Sequence, residues 1–143
     1  EDGMKQSQKL LLTWLIEDTR LFDSIKGWIT EDNFTEPLYR KAAQELFTQY
    51  GESGQVNPAK IISRFQEEEE QKEIAGLFNA RIHEVETKQD KEKALKETIE
   101  RIKENSIDVR SRQSDPNDLT VVMQLINEQK ELEKLKKTHI SID

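Results

Sequence analysis

The sequence lacks cysteine, and it also lacks any apolar run long enough to cross a membrane. Without cysteine, disulfide bonds, thiolate metal sites and cysteine nucleophiles are excluded. A membrane-spanning helix needs roughly 18 consecutive apolar residues, and the densest apolar stretch here, 10–16, is far shorter. No secretory signal pattern opens the sequence, since polar residues surround Met4. We therefore expect an intracellular protein without a membrane anchor.

A basic excess is also lacking, because 29 acidic residues outnumber 22 lysines and arginines and leave a net charge of −7. Proteins whose main ligand is nucleic acid normally present a contiguous basic face, so direct nucleic-acid binding is not expected. Charged residues make up 36% of the chain and apolar residues 34%. This balance is typical of a helical protein with one core and not of a disordered chain.

Motifs for catalysis or metal binding are missing as well. No glycine-rich phosphate loop is present, and the two near-neutral bases are His83 and His139. His83 has no second histidine three or four residues away, as a helical metal site would need, and His139 lies in what we expect to be a frayed tail. The acidic run 67–70 fits the solvated start of a helix, where the dipole favours carboxylates. We predict no catalytic and no metal-binding residues.

Strand-like alternation of apolar and polar residues is absent, and helical spacing runs through almost the whole chain. The apolar run 10–16 predicts a helix at the centre of the domain. Pro37 suits the first turn of a later helix, and Asn57-Pro58 combines an N-cap side chain with a proline at the first helical position. The sequence therefore predicts an all-α fold.

The last third of the chain consists of two predicted helices separated by the segment 114–118, where Asp115 or Asp118 is available to cap the second one. The first helix, 90–113, carries one narrow apolar line: Leu95, Ile99, Ile102 and Val109. At 1.5 Å per residue it would be about 36 Å long, which is more than a compact domain requires. We expect it to pack on the body and then project beyond it, and the sequence leaves open a bend near Asn105-Ser106.

The final helix, 117–137, is apolar over a much wider arc of about 240°. A helix needs an apolar stripe of about 100° to pack on one core, so this helix has apolar surface to spare. The residues that widen the arc are Leu119, Val121, Val122, Met123, Leu125 and Ile126. Either the body and a neighbouring helix cover this surface, or a partner protein does. We prefer the partner, because large exposed apolar patches mark interaction sites.

Five segments, taken in order, carry a family resemblance. They are KLLLTWLI at 9–16, FTEPLYRK at 34–41, VNPAKIISRF at 56–65, EIAGLFN at 73–79 and the closing run 118–136. Together they resemble the C-terminal helicase-binding domain of bacterial DNA primase, in the form found in Gram-positive bacteria. The resemblance covers nearly the whole chain from Lys9 onward and rests on the order and spacing of the segments.

This resemblance implies a compact helical bundle with a long helix leading to a C-terminal helical hairpin, similar in fold to the N-terminal domain of the replicative helicase. The body would span 4–112 and the docking hairpin 113–143. The implied function is to bind the hexameric helicase ring through its N-terminal domains, to recruit primase to the replication fork and to modulate helicase activity during primer synthesis. The parent primase is a nucleotidyltransferase, whereas this part of it would not be an enzyme.

The apolar pattern and the resemblance together place the helicase-binding residues on the hairpin. The expected set is Leu119, Val122, Met123, Ile126, Gln129, Lys130, Leu132 and Leu135. Zinc and magnesium would belong to upstream primase domains, so no cofactor is expected in this chain. The expected location is the cytoplasm, at the replication fork, and weak self-association is an open possibility. Periodicity does not decide which of these apolar residues face the helicase and which face the chain's own helices.

Two other interpretations remain at this point. The chain resembles, less well, the N-terminal domain of the same helicase, whose members carry a segment comparable to 32–40, but the segments 57–65 and 73–79 favour primase. A phosphotransfer bundle that uses His83 is the alternative from another functional class. Glu84 and Glu86 argue against it, because they make the neighbourhood of the histidine hostile to a phosphoryl group.

Overall fold

The structure, a computed structural model, describes residues 2–79 and 87–142, and within these ranges it is helical with no β-strand. Seven α-helices are present there: α1 (Asp2–Glu17), α2 (Leu21–Ile25), α3 (Pro37–Glu52), α4 (Pro58–Ile62), α5 (Glu68–Asn79), α6 (Lys88–Gln113) and α7 (Leu119–Lys136). A short 3-10 helix, Glu31–Asn33, lies between α2 and α3. The prediction of an all-α bundle is confirmed.

Helix α1 lies at the centre of the bundle, as its apolar run predicts. Leu11, Leu12 and Leu15 have no exposed surface, because α3, α5 and α6 pack around the helix. The fully buried Gln8 joins α1 to the start of α3: its side-chain oxygen accepts the N–H of Glu36 at 3.1 Å. A buried amide that is satisfied in this way stabilises the arrangement, whereas an unpaired one would oppose it.

The helix starts are set by local chemistry. Thr30 and Asn33 form a capping box around the 3-10 helix, in which Asn33 accepts the N–H of Thr30 at 2.9 Å. The side chain of Asn57 caps α4, and Pro37 and Pro58 occupy the first turns of α3 and α4. Proline is suited to that position because the first helical N–H groups have no partner within the helix. The predicted starts at Pro37 and Asn57 are confirmed.

Helix α6 lies across the body with its predicted apolar line inward. Leu95, Ile99 and Ile102 are completely buried, and Val109, nearer the tip, is half-buried. The helix runs without interruption through Asn105, whose amide donates to Oγ1 of Thr35 at 2.9 Å. The apolar residues of α6 therefore face the core along most of the helix. The last turns of α6 extend beyond the core.

Helix α7 runs antiparallel to α6, and the apolar residues at its C-terminal end belong to the core. Leu132, Leu135 and Ile140 have 0%, 0% and 3% of their surface exposed and belong to the same apolar cluster as α1. A single core therefore holds residues from both 4–112 and 113–143. Removing 113–143 would uncover that core, so the function of the hairpin is better tested by substitution than by truncation.

Candidate docking surface on the C-terminal hairpin

Helix α7 has an inner face that packs on α6. The residues of this face recur at alternating spacings of four and three: Val121, Leu125, Glu128, Leu132 and Leu135. This spacing places them on one line, as in the seam between two packed helices. The two leucines nearest the core are completely buried, whereas Val121 and Leu125 near the tip are only half-buried. The seam is therefore tight beside the body and looser toward the tip.

The opposite face of α7 is apolar and open to solvent. Leu119, Met123 and Ile126 are 73%, 58% and 45% exposed, and within the described ranges no other large apolar side chain is classed as exposed. Their spacing of four and then three residues puts them on one line about half a turn away from the inner face. Surface positions are more often polar, so an exposed apolar line makes this face of α7 a candidate docking surface.

An ion pair joins the two helices of the hairpin midway along α7. Arg110 of α6 makes two hydrogen bonds to the carboxylate of Glu128, one of them 2.7 Å between Nη1 and Oε2. Both side chains are largely shielded, with 31% and 23% of their surface exposed. The hydrogen bonds from Arg110 hold the pKa of Glu128 below its ordinary value, and Glu128 raises the pKa of Arg110. The pair closes the hairpin where the apolar seam loosens.

This ion pair is tied to the body through buried polar side chains. Arg110 also donates to Oγ of Ser106 at 3.1 Å, and the same oxygen accepts the amide of Asn33 at 3.3 Å. Next to them, Nζ of Lys103 donates to the carbonyl of Trp28, and burial lowers the pKa of this lysine. Hydrogen bonds thus connect the middle of the hairpin to the region of the 3-10 helix and set the position of α7.

The residues after α7 are fixed on α6. The carboxylate of Glu92, which is 5% exposed, accepts the N–H of Ile142 at 3.0 Å, and Nε2 of His139 lies 3.0 Å from its other oxygen. Ile140 between them is buried in the core. The expectation of a frayed tail is therefore wrong, because tertiary contacts hold this segment in place. His139 serves in a structural contact.

Hydrogen bonds fix the turn between α6 and α7, and this turn positions Leu119, the first residue of the exposed line. Asp115 accepts the N–H of Asn117 on its side chain and the N–H of Asp118 on its carbonyl, both at 2.9 Å. The side chain of Asp118 then caps α7 by accepting the N–H of Val121 at 3.4 Å. The cap is therefore Asp118, one of the two aspartates that the sequence offers.

Two shallow clefts flank the exposed line. One lies between the C-terminal end of α6 and the first turns of α7. There Val122, Leu125 and Ile126 meet Ser111 and other uncharged residues. The other runs beside Leu119 and Met123 along α7 and is lined by the following polar residues: Thr120, Gln124, Asn127, Glu128 and Glu131. An apolar ridge with polar flanks has the composition of a protein interface, with an apolar centre and a polar rim.

The structure separates the eight predicted helicase-binding residues into two groups. Leu119, Met123, Ile126, Gln129 and Lys130 are exposed, and Val122 is half-buried beside them. Leu132 and Leu135 lie in the core and are not available to a partner in this conformation. The accessible part of the set therefore lies in the first three turns of α7.

Sequence reasoning did not single out Arg110 and Glu128. A signal was present, because Glu128 falls in the heptad line that otherwise contains Val121, Leu125, Leu132 and Leu135. A polar residue in such a line commonly has a dedicated partner on the facing helix. The partner itself is not recognisable from spacing, since α6 offers several basic residues.

Features of other functional classes are sparse in the described part of the chain. No group of three or more histidines or acidic residues is placed there to hold a metal ion. Among the described helices, none has the length and apolar character to span a membrane. His83, Glu84 and Glu86, which bear on the phosphotransfer alternative, lie outside the described residues.

The Arg110–Glu128 pair predicts a specific pH dependence. Because the pKa of Glu128 is lowered in the folded chain, the pair contributes stability above the ordinary glutamate pKa and loses it as the pH falls toward the lowered value. Replacing Glu128 by glutamine should lower the free energy of unfolding by about 1 kcal/mol at about pH 7. The difference from wild type should shrink at about pH 3, because this pH lies below the ordinary glutamate pKa and the stability that the ionised carboxylate contributes is progressively lost there.

Urea unfolding at both pH values measures this difference. Glu97→Gln is the matched control, because Glu97 is exposed on α6 and takes part in no ion pair among the described residues. Equal effects of the two substitutions at neutral pH would contradict a stabilising role for the pair.

Comparison with protein-family models, curated proteins and solved structures finds no match to this chain. A functional interpretation therefore rests on two observations, the ordered segments of the sequence and the geometry of the hairpin. The second of these is independent of any family resemblance.

Proposed function

We propose that this chain is the helicase-binding domain of a bacterial DNA primase and that it docks on the replicative helicase through α7. The observation that carries the proposal is the exposed line Leu119, Met123 and Ile126 at the projecting end of a hairpin. The five ordered sequence segments support the choice of partner. The all-helical bundle is compatible with the proposed likeness to the N-terminal domain of the helicase.

The proposed docking uses a rigid hairpin to insert an apolar line into a groove between helices of the partner. Burying a fully exposed leucine, methionine or isoleucine side chain contributes about 1.5–3 kcal/mol. Because the three side chains are 73%, 58% and 45% exposed in the free chain, their complete burial would contribute about 3–5 kcal/mol. Association costs about 4–15 kcal/mol in lost freedom and ordering. The apolar line therefore needs further contacts from its polar flanks to give a stable complex.

The proposed role is recruitment. A chain without catalytic motifs contributes to primer synthesis by holding the primase at the fork, where the cytoplasmic helicase ring opens the duplex. Because the ring has several N-terminal domains, more than one copy can be tethered and the helicase can be modulated in turn. Zinc and magnesium chemistry would reside in upstream domains of the parent protein.

The second candidate is the N-terminal domain of the helicase itself, favoured by the likeness of fold that the sequence implies. The two candidates differ in their partner. A primase domain binds the intact helicase ring, whereas a helicase N-terminal domain associates with its own kind and with primase. The identity of the partner that the chain binds therefore separates them.

A titration tests the proposal. The fluorescently labelled chain is titrated with full-length replicative helicase from the same organism and, separately, with helicase that lacks its N-terminal domains. Saturable binding to the full-length ring, with none to the truncated one, is the expected result. Equal binding to both, or binding to neither, contradicts the proposal. A third titration uses full-length primase, to which we expect no binding, and saturable binding there would support the second candidate.

A further inference from the structure

The exposed line of α7 continues beyond Ile126, where its residues change from apolar to basic. Together the two parts form one outward line along the helix. Lys130, Lys134 and Lys137 continue the line at spacings of four and three, and all three are exposed. Within residues 2–79 and 87–142 none of them takes part in an ion pair. Lys136, on the side toward α6, contrasts with them because its Nζ lies 3.7 Å from Glu104 and 3.5 Å from Glu133. The outward lysines are thus exposed and have no ion-pair partner among the residues that the structure describes.

The helix dipole accounts for only part of this pattern. Cations near a helix C-terminus are stabilised, but the effect falls off within the last turn. Lys134 and Lys137 lie at that end, whereas Lys130 is more than a turn upstream of the last helical residue, Lys136. The chain has 29 acidic residues, yet none of those in the described ranges forms an ion pair with Lys130. A partner outside the chain explains its placement better than the fold does.

We propose that the outward line of α7 is one docking stripe, apolar from Leu119 to Ile126 and basic from Lys130 to Lys137. The inference rests on the proposed function and names the chemistry of the helicase surface: an apolar groove that continues into an acidic patch. The stripe is about 27 Å long at 1.5 Å per residue. Because one end of the stripe is apolar and the other is basic, α7 can bind the partner in one direction only. The tip of the hairpin lies in the groove, and the body lies beside the acidic patch.

A protein surface suits this stripe better than an anionic polymer or membrane. Glu131 and Glu133 lie on either side of Lys130, at angles of about 100° and 60° from it around the helix. A flat anionic surface would meet these carboxylates together with the lysines, and the whole chain has a net charge of −7. A shaped protein surface can place its acidic groups opposite the lysines alone, which increases the association rate and the specificity.

Charge reversal tests the inference. Lys130→Glu should weaken binding to the helicase about 5-fold at about 50 mM salt, and adding Lys134→Glu should bring the loss to about 20-fold. Lys93→Glu is the matched control, because Lys93 is exposed on α6 and has no ion-pair partner in the described part of the chain. Its effect should stay within about 2-fold. At about 0.5 M salt the differences should nearly vanish, because the charges are screened.

The outcomes distinguish this inference from the proposed function. Lack of binding by the wild-type chain overturns both. Wild-type binding that Lys130→Glu leaves unchanged at low salt overturns the inference and leaves the proposed function standing. A third arm uses vesicles of phosphatidylcholine and phosphatidylglycerol, to which we expect no binding. Vesicle binding that is lost in Lys130→Glu would assign the stripe to a membrane and overturn the inference.

Discussion

A chain in which Leu119 and Met123 are both replaced by aspartate is expected to fold normally and to bind the helicase at least about 100-fold more weakly. Both side chains are mostly exposed, so their loss removes little from the core. An aspartate at position 119 also falls in the first turn of α7, where the helix dipole favours it. In the complex, each carboxylate would have to enter an apolar groove without a partner, which is strongly unfavourable.

The titration of labelled chain with helicase measures this loss, and circular dichroism during heating confirms that the variant is folded. The control introduces the same two aspartates, also four residues apart, on another helix: Gln44→Asp together with Thr48→Asp, at two exposed positions of α3. The control should bind within about 2-fold of wild type. A folded Leu119→Asp, Met123→Asp chain with wild-type affinity would remove α7 from the interface.

Leu132→Ala is expected to lower the free energy of unfolding by about 2–5 kcal/mol. The side chain has no exposed surface, and its loss leaves a cavity between α7 and the core. The matched control is Leu119→Ala, the same substitution on the same helix at a position that is 73% exposed. It should cost less than about 0.5 kcal/mol, as exposed substitutions do.

Chemical denaturation followed by circular dichroism compares the two variants. The difference between their denaturation midpoints measures how much more the buried end of α7 contributes to stability than the solvent-exposed end. Similar midpoints for Leu132→Ala and Leu119→Ala would mean that the C-terminal half of α7 does not pack on the body. The conclusion that 4–112 and 113–143 share a single core would then be wrong.

Much of the fold follows from local patterns in the chain. The starts of α3 and α4 depend on Pro37 and on Asn57-Pro58, whose effects act within one helical turn. The break at 114–118, which contains Pro116, and the inward line of α6 are equally local. Such features are predictable because the residues that cause them are neighbours in sequence.

The orientation of α7 is harder to predict, because its first turns are apolar on both faces. The second half of the helix decides it: the inner line continues into Leu132 and Leu135, and the outer line continues into Lys130. The face that stays apolar to the end of the helix is the one that enters the core. Comparing the two lines over their full length would have separated core residues from exposed ones among the eight predicted.

The tail and the ion pair were not predictable in this way. Glu92 binds the backbone of Ile142 across 50 residues, and Arg110 binds Glu128 across 18. No local pattern links such pairs, since each depends on how α6 and α7 are placed in space. The expectation of a frayed tail failed for this reason.

Hydrogen–deuterium exchange of the chain, alone and saturated with helicase, tests the central claim most directly. If the outward face of α7 is the docking surface, amides in 119–126 should exchange more slowly in the complex, while those of α3 and α5 should change little. Protection confined to the helices of the body, with 119–126 exchanging as fast as in the free chain, would contradict the account.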